Sequence, residues 1–209
     1  MLYLNEIFSF NEMTSRSEQR DSSVKISCCK PKITNVCGTA KISCRLRLNM
    51  IYNCKKDFNF INKRYDKKVF RSLICKVKST GVTILLFENG SITLVGGKSI
   101  DNLIETMVDV VKELTRVWDY TPILCDFNIT NICASMKTVY RVDLFKMVEA
   151  NKACCSLEPE LFPGAKFKIN KIIITIHHTG ACFETGFKNI EQIKETFNIL
   201  EKLLLLYKI

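Results

Sequence analysis

The chain has 209 residues, 47% of them hydrophobic, which is enough for one large or two small packed domains. Lys and Arg number 31 against 21 Asp and Glu, and the resulting charge of +10 fits a polyanionic partner. No run of about 18 apolar residues exists to span a membrane. The N-terminus lacks a basic start followed by an apolar core and cleavage site, so neither membrane insertion nor secretion is expected.

The eleven cysteines are odd in number and contain no Cys-x-x-Cys pair. Structural zinc sites need close-spaced ligand pairs, so these cysteines read as reduced thiols used as small core residues, with no metal and no cofactor.

Residues 1–31 are rich in Ser, Asn, Glu and Arg without a sustained period, and are expected as a mobile arm in which Phe8 and Phe10 dock locally. A strand is predicted over Ile33–Ser43 and a short amphipathic helix over Cys44–Lys55. Asp57–Lys68 is polar and basic and reads as loop. Strands follow at Phe70–Lys78, Val82–Phe87 and Ser91–Val95, with Glu88-Asn89-Gly90 as a hairpin turn. A helix runs from Ile100 to Trp118, its apolar positions Leu103, Met107, Val110, Val111 and Leu114 on one face. The pattern then restarts with a strand at Ile123–Met136 and a helix at Val142–Ala150. Strands follow at Ala165–Ile169, Ile172–His177 and Ala181–Thr185, and the last helix spans Asn189–Tyr207.

The restart is visible in the residues themselves. Ile33-Thr34-Asn35-Val36-Cys37 recurs as Ile129-Thr130-Asn131-Ile132-Cys133, 96 positions on, and Asn89-Gly90 recurs as Thr179-Gly180, 90 positions on. Two copies of strand, helix, strands and helix can join their sheets edge to edge and cover one face with helices, leaving the other open. The expected organisation is an arm at 1–31, a first repeat at 32–120 and a second at 121–209.

Alternate strand residues share a face. With Asn35 as anchor, one face carries Asn35, Cys37, Thr39, Leu85, Phe87, Thr93 and Val95 in the first copy. The second copy adds Asn131, Cys133, Thr175, His177, Phe183 and Thr185. This face is apolar and β-branched, with two amides and a few hydroxyls, and such a surface marks a binding site. Lys67, Lys68, Lys76, Lys78, Lys98, Lys166, Lys168 and Lys188 are placed to frame it. Apolar contact, central amides and rim cations fit the minor groove of double-stranded DNA, and an apolar wall disfavours the guanine amine there. His177-His178 with Cys182 carries no enzymatic reading. Adjacent strand residues point to opposite faces, and no carboxylate pair or phosphate loop accompanies them.

Between the second short helix and the next strand lies Glu158-Pro159-Glu160-Leu161-Phe162-Pro163-Gly164. Two prolines fix the backbone around Phe162, and Gly164 permits a reversal. This loop resembles the second stirrup of the TATA-box-binding protein family. The resemblance extends over residues 32–207 and implies an α+β fold: a pseudo-twofold saddle of two tandem repeats, a ten-stranded antiparallel sheet with four helices on its convex face.

The resemblance also implies residue roles. Asn35 and Asn131 match the family's central base-contacting asparagines, and Cys37 and Cys133 fall where it places groove-contacting valines. Groove contacts are thereby implied for Thr39, Leu85, Thr93, Val95, Thr175, Phe183 and Thr185. Phe70, Phe87 and Phe162 match its wedge phenylalanines, and His177 stands where it has the fourth. Lys68, Lys76, Lys78, Lys98, Lys168 and Lys188 are implied as phosphate contacts, while Glu158, Glu160 and Leu161 match contacts to transcription factor IIB. Thr185-Gly186-Phe187-Lys188 is similar to the family's Thr-Gly-Ala-Lys.

The implied function is a nuclear, non-enzymatic initiation factor that binds and bends A/T-rich promoter DNA through the minor groove and recruits transcription factor IIB. The alternative is a specialised relative that binds general factors but holds TATA DNA weakly. Transcription factor IIA and other general factors are further implied partners. The family's usually basic helix, however, carries Asp101, Glu105, Asp109 and Glu113 here, an acidic stripe on a solvated face.

Overall fold

The computed structural model describes residues 30–54, 59–118 and 121–209. The arm expected over residues 1–31, with Phe8 and Phe10, lies outside the described residues apart from Lys30 and Pro31. In chain order the elements are β1 (Lys32–Ile42), α1 (Leu48–Asn53), β2 (Phe60–Asp66), β3 (Phe70–Val77), β4 (Thr83–Phe87), β5 (Ser91–Gly97) and α2 (Ile100–Val117). There follow β6 (Leu124–Lys137), α3 (Leu144–Ala150), β7 (Cys155–Ser156), β8 (Gly164–Ile169), β9 (Ile172–His177), β10 (Ala181–Phe187) and α4 (Ile190–Leu206). The ten strands hydrogen-bond in the order β2-β3-β4-β5-β1-β6-β10-β9-β8-β7. The chain divides into two compact units, Ile33–Cys133 and Ala134–Ile209, and β6 gives residues to both.

In the first unit the strands alternate as half-buried antiparallel strands do. Val36, Ala40, Ile84, Leu86, Ile92 and Leu94 are buried, while their neighbours Asn35, Cys37, Thr39, Leu85, Phe87 and Thr93 are half-exposed. The buried side meets α2, which packs on β5 and β3 through a stripe of Leu103, Met107, Val110 and Leu114. Leu103 nests against backbone. A Cβ on Gly97 would overlap its Cδ1, and one on Gly38 would lie 3.0 Å from its Cδ2 and 3.1 Å from the Asn128 carbonyl. Glycine at 38 and 97 therefore sets how closely the helix sits on the sheet.

The second unit repeats the plan. Its core joins Ala165, Phe167, Ile174, Ile176 and Cys182 of the strands to Met147 of α3 and Leu200, Leu203 and Leu204 of α4. Helix α3 packs on β8 and α4 on β10.

The repeat seen in the sequence is also a repeat of hydrogen bonds. Ile42 N donates to Gly90 O and Thr138 N to Gly180 O, both at 3.0 Å; Leu46 N donates to Glu88 O and Val142 N to His178 O, both at 2.9 Å. Both long helices start alike. The Ser99 hydroxyl accepts from Asn102 N, and the Asn189 amide oxygen from Gln192 N. In return Asn102 and Gln192 accept from the backbone N–H of Lys98 and Lys188, at 3.1 and 2.8 Å. Each pairing satisfies one orphan donor of the first helical turn and one N–H of the residue leading into the cap. Gly90 and Gly180 turn their hairpins at φ +84° and +79°. A Cβ on Gly90 would sit 2.6 Å from two carbonyl oxygens, and one on Gly180 would overlap Thr138 Oγ1.

Three expectations are corrected. The loop expected at Asp57–Lys68 contains strand β2. Phe60 is its one buried side chain, its register on β3 slips twice, and Asn62 adopts φ +54°. A polar edge strand with that irregularity has no apolar alternation to read. The helix expected over Cys44–Lys55 shrinks to Leu48–Asn53: Arg47 gives it no side-chain cap, and Lys63 of β2 holds the carbonyls of Ile51 and Cys54 at 3.2 and 2.8 Å. The acidic stripe on α2 is not one solvated face. Asp101 and Glu105 are exposed, Asp109 is half-buried with Ser79 and Asn59 bonded to it, and Glu113 is buried beside Arg116 at 3.2 Å. Residues four apart on a helix advance by about 40° each step, so the row winds from solvent toward the sheet.

None of the cysteines among the described residues forms a disulfide, and Cys75, Cys155 and Cys182 are buried. Burial pushes the Cys75 and Cys155 thiols up to about 12 and about 11, which leaves them un-ionised and inert.

Candidate nucleic-acid interface

In the first unit, strand register assembles the open face directly. Ser72 lies opposite Phe87, Ile74 opposite Leu85 and Lys76 opposite Thr83. Leu85 in turn faces Thr93, and Thr93 faces Thr39. Directly opposed residues share a face, so these join Asn35, Cys37 and Val95 in one uncharged patch with Lys76 at its margin. Arg64 of β2 pairs with Ile74 and brings a second cation to that edge. The sequence reading missed it because β2 read as loop. Phe70 and Phe87 stand edge to face with ring centroids 6.3 Å apart, and Phe70 is 47% exposed.

Asn35 has a fixed orientation. Gly96 N–H donates to its Oδ1 at 3.1 Å, and its Nδ2 donates to Cys37 Sγ at 3.4 Å. A backbone N–H can only donate, so the oxygen must turn toward Gly96 and the amino group away from it. Gly96 holds φ +91°, and an added Cβ there would meet nothing; its glycine serves backbone shape rather than space. The β1–β5 register shifts between Val36 and Gly38, and this irregularity frees Gly96 N–H for the side chain. Asn131 makes the matching bond, Nδ2 to Cys133 Sγ at 3.3 Å.

In the second unit Thr175 lies between Phe183 and Lys166, and Ile173 between Thr185 and Lys168. Lys166 and Lys168 thus stand on the open face itself, on β8, the strand next to the short edge strand β7. Gly164 lies opposite His177. The loop before it closes on Glu158, whose carbonyl accepts from Leu161 N at 3.0 Å and Phe162 N at 2.9 Å. Leu161 points outward, 81% exposed beside exposed Glu158 and Glu160, whereas Phe162 folds back to 39%. A Cβ on Gly164 would sit 2.7 Å from the Phe162 ring, so only glycine lets that ring lie over β8. His177 then stands between two phenyl rings, Phe162 at 5.6 Å and Phe183 at 5.9 Å. Sequence parity had put His177 and Phe183 on one face, but it did not reveal this three-ring cluster.

Lys68, Lys78, Lys98 and Lys188 are exposed near strand or helix ends. Lys67 pairs with Glu88 at 3.0 Å, a bond that raises the lysine's pKa and lowers the carboxylate's. Among the described residues no group of three His, Cys, Asp or Glu is placed to hold a metal ion, and no helix is long and apolar enough to cross a membrane.

The geometry defines a class first: a two-repeat α+β protein whose helices cover one face of the sheet in each repeat and leave an apolar face with amides uncovered. The sequence model of the family described as transcription factor TFIID, or TATA-binding protein, matches residues 30–117 and 126–207, and the chain belongs to that family. Its members are DNA-binding transcription factors rather than enzymes. TATA-box-binding protein-like 1 of Entamoeba histolytica is 28% identical over 178 residues, covering 84% of this chain and 80% of the relative. The TATA-box-binding protein of Candida albicans is 28% identical over 169 residues, covering 80% and 68%. Among solved structures, the Methanococcus jannaschii TBP superposes with a TM-score of 0.73 at 21% identity, covering 85% of this chain and 99% of that one, which establishes the shared fold.

Proposed function

We propose that this protein is a nuclear initiation factor that lays its open sheet face along the minor groove of A/T-rich promoter DNA. The observation that carries the reading is the amide of Asn35. Its oxygen is committed to Gly96 and one amino hydrogen to Cys37 Sγ, so its second amino hydrogen is the part left to meet the ligand. The minor groove of A·T pairs offers only acceptors, adenine N3 and thymine O2, which is the chemistry an outward N–H requires. Asn131, whose Nδ2 donates to Cys133 Sγ, is its counterpart in the second half. Cys37, Thr39, Leu85, Thr93, Val95, Cys133, Thr175, Phe183 and Thr185 supply the contact surface, and Phe70, Phe87, Phe162 and His177 enter base steps. Lys68, Lys76, Lys78, Lys98, Lys168 and Lys188 hold phosphates. Glu158, Glu160 and Leu161, exposed on the loop, form the surface offered to transcription factor IIB.

Mobility shift with a TATA duplex and a G·C-substituted control tests this, with salt varied. The A·T duplex should bind at least about ten-fold tighter, with affinity falling steeply as salt rises. Equal affinity for both duplexes, or none, refutes it.

A second reading, factor binding with weak TATA binding, is favoured by one feature. Phe183 is 54% exposed against His177, a bulky ring where the contact surface should be smooth. It requires that transcription factor IIB be retained by a protein that shifts no TATA duplex, and that Glu160→Arg abolish that retention.

A further inference from the structure

Along β1, β3, β4 and β5 one residue breaks the pattern of the open face. Ser72 stands on it, opposite Phe87 and between Phe70 and Ile74, yet it is 1% exposed, while the other residues there are half-exposed or more. Its Oγ has no hydrogen-bond partner among the described residues. Its cover is the aromatic pair of the first unit. Phe70 lies two residues before it on the same side of β3, Phe87 lies across from it, and the two rings meet edge to face at 6.3 Å. The second unit repeats the arrangement. Gly164 lies opposite His177 as Ser72 lies opposite Phe87, and the Phe162 ring sits so close over Gly164 that a Cβ would lie 2.7 Å from it. Each cluster thus covers the position two residues beyond its leading phenylalanine. Gly164 puts no polar atom there, and Ser72 puts a hydroxyl. A hydroxyl cut off from water without a partner is destabilising, and alanine would occupy the same place without that cost.

We infer that Ser72 is a further DNA-contact residue, covered in the free protein and uncovered on binding. The inference rests on the minor-groove reading above and deepens it. On that reading Phe70 and Phe87 leave the sheet surface to enter a base step, and the base edges of that step take their place over Ser72. A·T pairs show only acceptors there, adenine N3 and thymine O2, and a serine hydroxyl donates to either. The register fixes the side from which it does so. The Ser72 Cβ points to the open face, and the hydroxyl is one bond further, so every rotamer keeps it on that face. The bond is made by a group that forms none in the free protein, so its own energy and the relief of an unpaired buried hydroxyl both favour the complex. The second unit has only Gly164 at the matching place, so this contact belongs to one end of the site alone.

The test uses the full chain, thermal unfolding, and fluorescence anisotropy with an A·T duplex. Ser72→Ala removes the buried hydroxyl, so the unfolding midpoint should rise by about 2–4 °C. It also removes the bond to DNA, so affinity should fall about ten-fold. A serine with a purely structural role would not move stability and affinity in opposite directions. In a Phe70→Ala background water reaches the hydroxyl, and adding Ser72→Ala should leave the midpoint where it was. A midpoint that fails to rise in Ser72→Ala, an affinity that fails to fall, or the same rise with and without Phe70 overturns the inference and leaves A·T binding intact. Failure of wild type to bind the A·T duplex overturns the minor-groove reading and this inference with it.

Discussion

The two repeats share a polar skeleton and differ in the volumes packed around it. The turn bonds to Gly90 and Gly180, the caps Ser99 and Asn189, and the returning amides of Asn102 and Gln192 are matched one for one. The helix-facing layer is not. Position 97 is a glycine that Leu103 overlies, whereas its counterpart, 90 residues on, is Phe187, fully buried. Leu94 of β5 corresponds to Glu184 of β10, also buried. Directional bonds tolerate little change, because an unmade buried bond costs its full desolvation. Apolar volume can be moved from one side chain to a neighbour as long as the total is kept.

Cutting into the second repeat's larger side chain gives the largest effect. Phe187→Ala should cost about 3–5 kcal/mol by urea unfolding, because a buried ring leaves a cavity where the first repeat has none to lose. A cost below that of an ordinary surface change would mean that the two layers are packed alike after all.

Glu184 comes next. Neither carboxylate oxygen has a hydrogen-bond partner among the described residues, and burial pushes its pKa from 4.5 to about 7. The folded state therefore holds this proton over a range where the unfolded chain releases it. Stability is fully present below pH 4.5 and is lost as pH rises through 7, by roughly 3 kcal/mol in all. Thermal unfolding between pH 5 and 8 should show that slope in wild type and a flatter one in Glu184→Gln. Glu184→Leu, which copies the first repeat, should be more stable than wild type at pH 8. A wild-type slope unchanged in both variants would show that the proton belongs to another group.

The smallest effect should also be the most equal. Ser99→Ala and Asn189→Ala should each cost about 1 kcal/mol, since both caps satisfy the same orphan donor. Unequal losses would show that the shared skeleton is less uniform than its bonds.

What could be read from the sequence follows from these distinctions. Asn35 with Asn131 and Gly90 with Gly180 were visible because a turn or an alternating face is encoded within a few residues. Strand β2 was hidden because pairing to β3, not an apolar pattern of its own, makes it a strand. Arg64 was hidden with it. The gathering of Phe162, His177 and Phe183 depends on pairing among β8, β9 and β10, which no local rule supplies. The acidic row on α2 was misjudged because a four-residue spacing does not keep to one side of a helix. Glu184 was unforeseeable, since a carboxyl at a core position contradicts the burial rule that located the rest of that layer.

The orientation of Asn35 also bears on how this protein ages. Loss of its side-chain amide nitrogen by hydrolysis would leave the oxygen that Gly96 needs, so the strand would keep its shape. On the proposed reading the amino group, which also bonds Cys37, would be replaced by a negative oxygen facing a polyanion. The exchange would then yield a molecule that keeps the Gly96 bond yet repels DNA, a loss that an assay of unfolding would not detect.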